Sequence, residues 1–238
     1  MDAMRYLDAE RLAGLSTESF RSQQPYPWVN PQGLLTEEGF RELHRDLPDL
    51  ALFDAVFGKR RKYGQQSHDR YALDWSPDLP VADSWRAFVS ELQGPGYRAF
   101  LTRLFATSSF QLRLHWHYTP RGCSVSPHCD AKRKLGSHIF YFQTSADWDP
   151  AWGGETLILH DGERRFSSDS APPFEAFERA EVPETLDSRS LIFARRGDSW
   201  HGVRELRCPE GELRRVFIVT VERASWTDRL RVFRRAAA

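Results

Sequence analysis

The 238-residue chain is poor in cysteine and methionine and carries no net charge. Its three cysteines, Cys123, Cys129 and Cys208, are few and odd in number. That argues against a disulfide-built scaffold, and a reducing, cytoplasmic setting is expected. Lys and Arg total 33 and Asp and Glu total 33, so no global basic field exists to hold a nucleic acid, and none is expected as a partner. No apolar run approaches the ~20 residues of a membrane span. The opening Met1-Asp2-Ala3-Met4-Arg5 lacks the apolar stretch of a secretion signal, so neither a membrane partner nor export is expected. Internal repeats and low-complexity linkers are also missing. Aromatic residues, by contrast, are plentiful. With 8 Trp, 7 Tyr and 16 Phe the chain can build a substantial core, which excludes global disorder.

The texture changes near residue 109, and a single domain with two halves is expected. Residues 1–108 read as mainly helical. In 36–47, Phe40, Leu43 and Leu47 recur at three- and four-residue steps, with Thr36 as N-cap and Pro48 as the stop. Residues 83–92 repeat the device with Trp85, Phe88, Val89 and Leu92, and 95–105 with Tyr97, Phe100, Leu101 and Leu104. Between them, 59–80 is polar and rich in Arg, Gln and His, and reads as a loop: a solvated connection or a substrate lid. Residues 109–224 hold short β-branched and aromatic segments, at 111–118, 138–142, 156–160, 190–194 and 215–222, separated by Gly- and Pro-containing turns. Many short strands without intervening helices indicate an antiparallel sandwich or barrel. Residues 225–238 read as a short helix or tail.

The informative chemistry lies in Ser126-Pro127-His128-Cys129-Asp130. Residues two apart on an extended strand point the same way, so His128 and Asp130 can meet one ion while Cys129 faces away. A third ligand is available in Ser199-Trp200-His201, beyond the apolar strand 190–194. Two imidazoles and a carboxylate on one face of an octahedral ion leave three positions open, the arrangement of non-haem Fe(II) oxygenases. Arg214 and Arg215 open the last strand, and a guanidinium there can grip a carboxylate with two parallel hydrogen bonds. By alternation Arg215 shares a face with Phe217, Val219 and Val221, and it is preferred over Arg214 and Arg204. His115 and His117 form an alternative metal pair on one strand.

With these motifs, residues 111–222 resemble the Fe(II)/2-oxoglutarate-dependent dioxygenases, in particular the prolyl-4-hydroxylase-like branch. The matching features are Tyr118, His128-Cys129-Asp130, the aromatic strand His138-Ile139-Phe140-Tyr141-Phe142, the turn Trp152-Gly153-Gly154, His201-Gly202-Val203, and Arg215 followed by a hydrophobic strand. One departure is the distance from His201 to Arg215, fourteen residues where the branch usually has nine or ten; a lengthened turn at Cys208-Pro209-Glu210-Gly211 absorbs the difference.

The resemblance implies an α+β, mainly β fold: a double-stranded β-helix (jelly roll) with N-terminal helices packed on it and a short C-terminal helix. It implies iron on His128, Asp130 and His201, and 2-oxoglutarate held by Arg215 and Tyr118. O2 is the oxidant, ascorbate a candidate reductant, and succinate and CO2 the coproducts. His138, Arg70 and Gln65 are the candidate substrate contacts, for a small polar molecule in the first instance. A peptidyl hydroxylase, a non-catalytic metal- and 2-oxoglutarate-sensing barrel and a zinc hydrolase are the competing readings. Trp148, Trp152, Trp200 and the Gly153-Gly154 turn are expected to serve packing and chain reversal.

Overall fold

Alternation along the long strands decides which side chains meet in this chain. The computed structural model describes residues 4–224. The expected C-terminal helix therefore lies outside the described residues. The helices are α1 (Ala9–Gly14), α2 (Thr17–Ser22), α3 (Glu37–Arg45), α4 (Asp83–Gln93) and α5 (Pro95–Phe105). The strands are β1 (Trp28–Val29), β2 (Asp54–Val56), β3 (Arg70–Asp74), β4 (Phe110–Pro120), β5 (Val125–His128) and β6 (Lys134–Tyr141). They continue with β7 (Leu157–His160), β8 (Arg179–Glu181), β9 (Ser190–Ala194), β10 (His201–Val203) and β11 (Leu213–Arg223). A large antiparallel sheet runs β1-β9-β6-β11-β4-β3-β2 and faces a small one, β5-β10-β7-β8. Two antiparallel sheets wound in this order form the expected double-stranded β-helix.

The three helices read from apolar periodicity, α3, α4 and α5, form. The Thr36 hydroxyl accepts from the Gly39 N–H and caps α3, with Glu37 and Glu38 in the first turn where the helix dipole favours them. Pro95 begins α5, a position that needs no N–H donor. The apolar stripes of α4 and α5 lie on the outer face of the large sheet. Trp85 packs against Trp116, Phe142 and Phe217 at ring separations of 5.1–5.2 Å, and Phe88 against Phe140 at 5.5 Å. Full burial of side chains of this size contributes about 1.5–3 kcal/mol each. The N-terminal segment is fastened to α4 by Glu91, whose carboxylate accepts from the backbone N–H groups of Arg5, Tyr6 and Leu7 at 2.7–3.1 Å.

On β11 the alternation therefore has a definite meaning. Phe217, Val219 and Val221 join Trp116, Phe140 and the helices in one core. Val216 and Ile218 point the other way, into the β-helix, with Ile139, Tyr141, Leu191, Phe193 and Ile158. Both faces of the large sheet are thus apolar. The segment 59–80 is not a plain loop: Arg70–Asp74 is a strand, paired with β4 from Tyr71↔Tyr118 to Asp74↔His115, and β2 pairs with it in turn. These two strands extend the large sheet past the small one.

Candidate active site

Local pairing builds the candidate metal centre. His128 closes β5 and His201 opens β10, and the two residues sit directly opposite each other in the antiparallel pair. Their rings are 4.3 Å apart. Asp130 follows two residues beyond His128, and one ligand atom from each of the three side chains lies within 4.8 Å of the others. The Nδ1–H of His128 donates to the Ser126 carbonyl at 2.9 Å, and that of His201 to the Ser199 carbonyl at 3.0 Å. A ring nitrogen facing a carbonyl must carry the proton, so each Nε2 keeps its lone pair. Burial pushes both imidazoles below their usual range and keeps them neutral, as ligation requires. Burial alone would raise Asp130, but the ammonium of Lys134, ion-paired with it, leads the interactions that hold the carboxyl well below the usual carboxylate range. Lys134 Nζ donates to Asp130 Oδ1 at 2.7 Å, and Arg195 Nε fixes the Asp130 backbone carbonyl at 3.0 Å.

Inside the β-helix, away from the mouth, a second group of polar residues converges. Arg214 lies on the same face of β11 as Val216 and is buried. Its Nε donates to the Gly154 carbonyl at 2.5 Å and its Nη2 to Thr156 Oγ1 at 3.1 Å, and its guanidinium stands 5.4 Å from the Tyr141 ring. The Tyr141 hydroxyl is buried with no hydrogen-bond partner among the described residues. Gly154 holds φ at +113°, a conformation that L side chains rarely adopt, and a Cβ there would stand 3.3 Å from Arg214 Cδ. The Gly153-Gly154 turn is therefore part of the seat of this guanidinium as well as a chain reversal. Thr156 is two residues from Ile158, which pairs with His201.

This arrangement corrects part of the sequence reading. Arg215 and Tyr118 pair across β11 and β4 on the face that carries Phe217 and Trp116. Tyr118 stacks on Phe53 at 4.2 Å and donates to the Pro48 carbonyl, on the helix side of the sheet. Neither residue faces the β-helix interior, whereas Arg214 and Tyr141 do. His138 also faces the helices: its Nδ1 meets the Tyr97 hydroxyl at 2.9 Å, its ring packs 3.9 Å from Phe140, and burial lowers its pKa to about 3. It is a core histidine and not a substrate contact. His115 and His117, opposite Ile218 and Val216, take the interior face of β4, and Tyr118 takes the other.

A cavity of about 860 Å³ opens beside the triad and reaches it at Asp130. Arg61, Gln65, His68, Arg70, His115 and His117 are among its lining residues. Two of the three candidate substrate contacts, Arg70 and Gln65, therefore lie on it. The His68 ring lies tilted 4.7 Å from that of His128 and its Nε2 meets Ser126 Oγ at 3.1 Å, so the 59–80 segment covers one ligand directly.

No protein-family model matches the chain, and no curated protein is similar to it in sequence. Solved structures are similar. A prolyl-4-hydroxylase from Pseudomonas putida superposes with a TM-score of 0.58 at 16% identity, over 88% of this chain and 99% of the other. A prolyl hydroxylase from Trichoplax adhaerens, in complex with a hypoxia-inducible-factor peptide fragment, gives 0.60 at 12% identity, over 90% of each chain. HygX from Streptomyces hygroscopicus, with nickel and 2-oxoglutarate bound, gives 0.57 at 12%, over 90% and 89%. The similarity is one of fold: the chain has the double-stranded β-helix architecture of the Fe(II)/2-oxoglutarate oxygenases.

Proposed function

We propose that the protein is a non-haem Fe(II)/2-oxoglutarate-dependent oxygenase that hydroxylates an unactivated C–H bond of a small polar substrate. The observation that carries this reading is the coincidence of two sites within one β-helix. One is a His-Asp-His set whose imidazoles are neutral and aimed. The other is a buried guanidinium beside an unpartnered tyrosine hydroxyl. The donor set suits a divalent first-row metal, which takes imidazole nitrogen and carboxylate oxygen together. The Arg214 guanidinium and the Tyr141 hydroxyl suit the distal carboxylate of 2-oxoglutarate, which would satisfy a buried polar atom that otherwise costs stability.

When bound, iron and 2-oxoglutarate together supply the O2-derived oxidation, with succinate and CO2 released. The chain's own residues hold and aim. His128, Asp130 and His201 hold the metal. The Ser126 and Ser199 carbonyls fix the two rings, and Lys134 steadies Asp130. Arg214 and Tyr141 orient the cosubstrate. Residues 59–68, at the cavity, exclude water and position the substrate. A peptidyl substrate is the second reading, suggested by the peptide-bound neighbour; the polar side chains of 59–70 on the cavity wall favour a small molecule.

The test is succinate formation from 2-oxoglutarate by the purified protein. Turnover that needs both Fe(II) and 2-oxoglutarate supports the reading. Turnover of neither, in protein shown to be folded, or hydrolytic activity with Zn²⁺ alone, overturns it.

A further inference from the structure

The cavity beside the triad has an unequal charge balance, although the chain as a whole has none. Ten of its lining residues are Lys or Arg and five are Asp or Glu. Three of the acids are already engaged: Asp74 with Arg113 at 2.7 Å, Glu222 with Arg133 at 3.0 Å, and Asp130 with Lys134 at 2.7 Å. Arg61 and Arg70, by contrast, form no ion pair with a carboxylate among the described residues. Arg70 is held by its inner edge. Its Nε donates to His117 Nε2 at 3.1 Å and its Nη1 to the His68 carbonyl at 2.7 Å, which leaves Nη2 without a partner among the described residues. Arg61 makes one long hydrogen bond, 3.4 Å from Nε to Gln65 Oε1, and its terminal nitrogens have no hydrogen-bond partner among the described residues.

The neighbours of Arg70 do not neutralise it. His117 is kept uncharged by burial and by the charges around it, so it accepts from Arg70 without offsetting its charge. Burial costs Arg70 hydration and Arg61 repels it, with Asp74 and Asp69 offsetting part of this; burial likewise disfavours the charge on Arg61, which Asp130 partly offsets. Two like charges on one cavity wall, Arg61 at its exposed rim and Arg70 half-buried, raise the energy of the free protein. An anion placed between them lowers it. A guanidinium with a free edge matches the two oxygens of an oxyacid.

We infer that the substrate carries a carboxylate or phosphate group, gripped by Arg61 and Arg70 beside the candidate metal centre. This rests on the oxygenase reading of that centre and adds the chemical class of the substrate to it. The anion anchors one end of the molecule, so the C–H bond to be oxidised lies a short distance away, toward Asp130.

The experiment uses the whole protein saturated with Ni(II) and 2-oxoglutarate, so that Arg214 is already occupied. Phenyl phosphate, phenylacetate and the neutral phenylacetamide are titrated in separately and followed by ligand-observed NMR. At least one anion is expected to bind at least tenfold more tightly than the amide; whichever anion is tighter identifies the oxyacid. Arg61→Met and Arg70→Met are each expected to weaken that anion at least tenfold and to leave the amide unchanged. Arg61 is exposed, and its one side-chain hydrogen bond among the described residues is to Gln65, so its variant is expected to fold whether or not Arg70→Met does. Anions that bind no better than the amide, or undiminished anion binding in Arg61→Met, overturn the inference. Failure of the oxygenase reading appears earlier and separately: 2-oxoglutarate then does not bind the Ni(II)-loaded protein, and the inference falls with it.

Discussion

Exchanging Arg214 or Arg215 for methionine, one at a time, separates the two faces of β11. Methionine keeps much of the length and the apolar stem and removes the charge. Arg214 is buried inside the β-helix with its donors on Gly154 and Thr156, next to the Tyr141 hydroxyl. A charge-assisted hydrogen bond lost from such a site costs about 1.5–3 kcal/mol. At about 1.4 kcal/mol per factor of ten, 2-oxoglutarate affinity falls roughly tenfold to hundredfold. Arg215 faces the helices beside Phe217, so Arg215→Met changes the affinity by no more than about twofold, within the range of a change distant from the ligand. The assay is calorimetric titration of 2-oxoglutarate into Ni(II)-loaded protein, with thermal melts of each variant to verify folding. A tenfold loss in Arg215→Met with none in folded Arg214→Met would refute the placement of the cosubstrate inside the β-helix.

Other consequences follow from the same geometry. Gly154→Ala puts a Cβ on a backbone with φ of +113° and against Arg214; it is expected to lower stability by about 1 kcal/mol or more and to weaken 2-oxoglutarate, and wild-type behaviour in both would show that the turn does not seat Arg214. His138 titrates near 3 in the folded protein because it is buried, against about 6.5 in the unfolded chain. Between those values the unfolded chain binds more protons, so His138's share of stability is intact above pH 6.5 and is lost as pH falls, by up to about 1.4 kcal/mol per unit. His138→Gln is expected to flatten the pH dependence of the urea midpoint between pH 6 and 4, and an unchanged slope counts against a neutral buried imidazole. Trp85→Ala empties the centre of the aromatic contact between α4 and the sheet and is expected to cost about 3–5 kcal/mol in chemical unfolding; a loss below 1 kcal/mol would mean that this core does not hold the helices.

Some of this was legible in the residues. The helix α3, with Thr36 as its cap, and the helices α4 and α5 follow directly from apolar periodicity, and β9 spans the segment expected for it. The His128, Asp130 and His201 set was readable because strand spacing of two and a distant histidine need no knowledge of sheet order. Alternation also sorts β11 into two sets, but both sets are apolar, and nothing along the strand tells which one faces the helices. That is why alternation alone does not distinguish Arg215, Tyr118 and His138, which face the helices, from Arg214, Tyr141, His115 and His117, which face the interior. The common signal for Arg214 was its adjacency to Arg215; for Tyr141 it was the alternation Ile139, Tyr141 within the aromatic strand. The strands β5, β8 and β10 have three or four residues, too few for a period to register. The strand β3 reads Arg-Tyr-Ala-Leu-Asp and sits in a polar segment, so its pairing with β4 is decided by tertiary contact and not by local pattern.

The decisive measurement is a calorimetric titration of Ni(II) into the wild-type protein and into the His128→Ala/His201→Ala double variant. The wild type is expected to take up one equivalent and then to bind 2-oxoglutarate only with the metal in place, while the double variant, folded by circular dichroism, takes up none. Metal binding at full affinity in the double variant would contradict the assignment and direct attention to His115 and His117, whose rings lie 4.6 Å apart on the cavity wall.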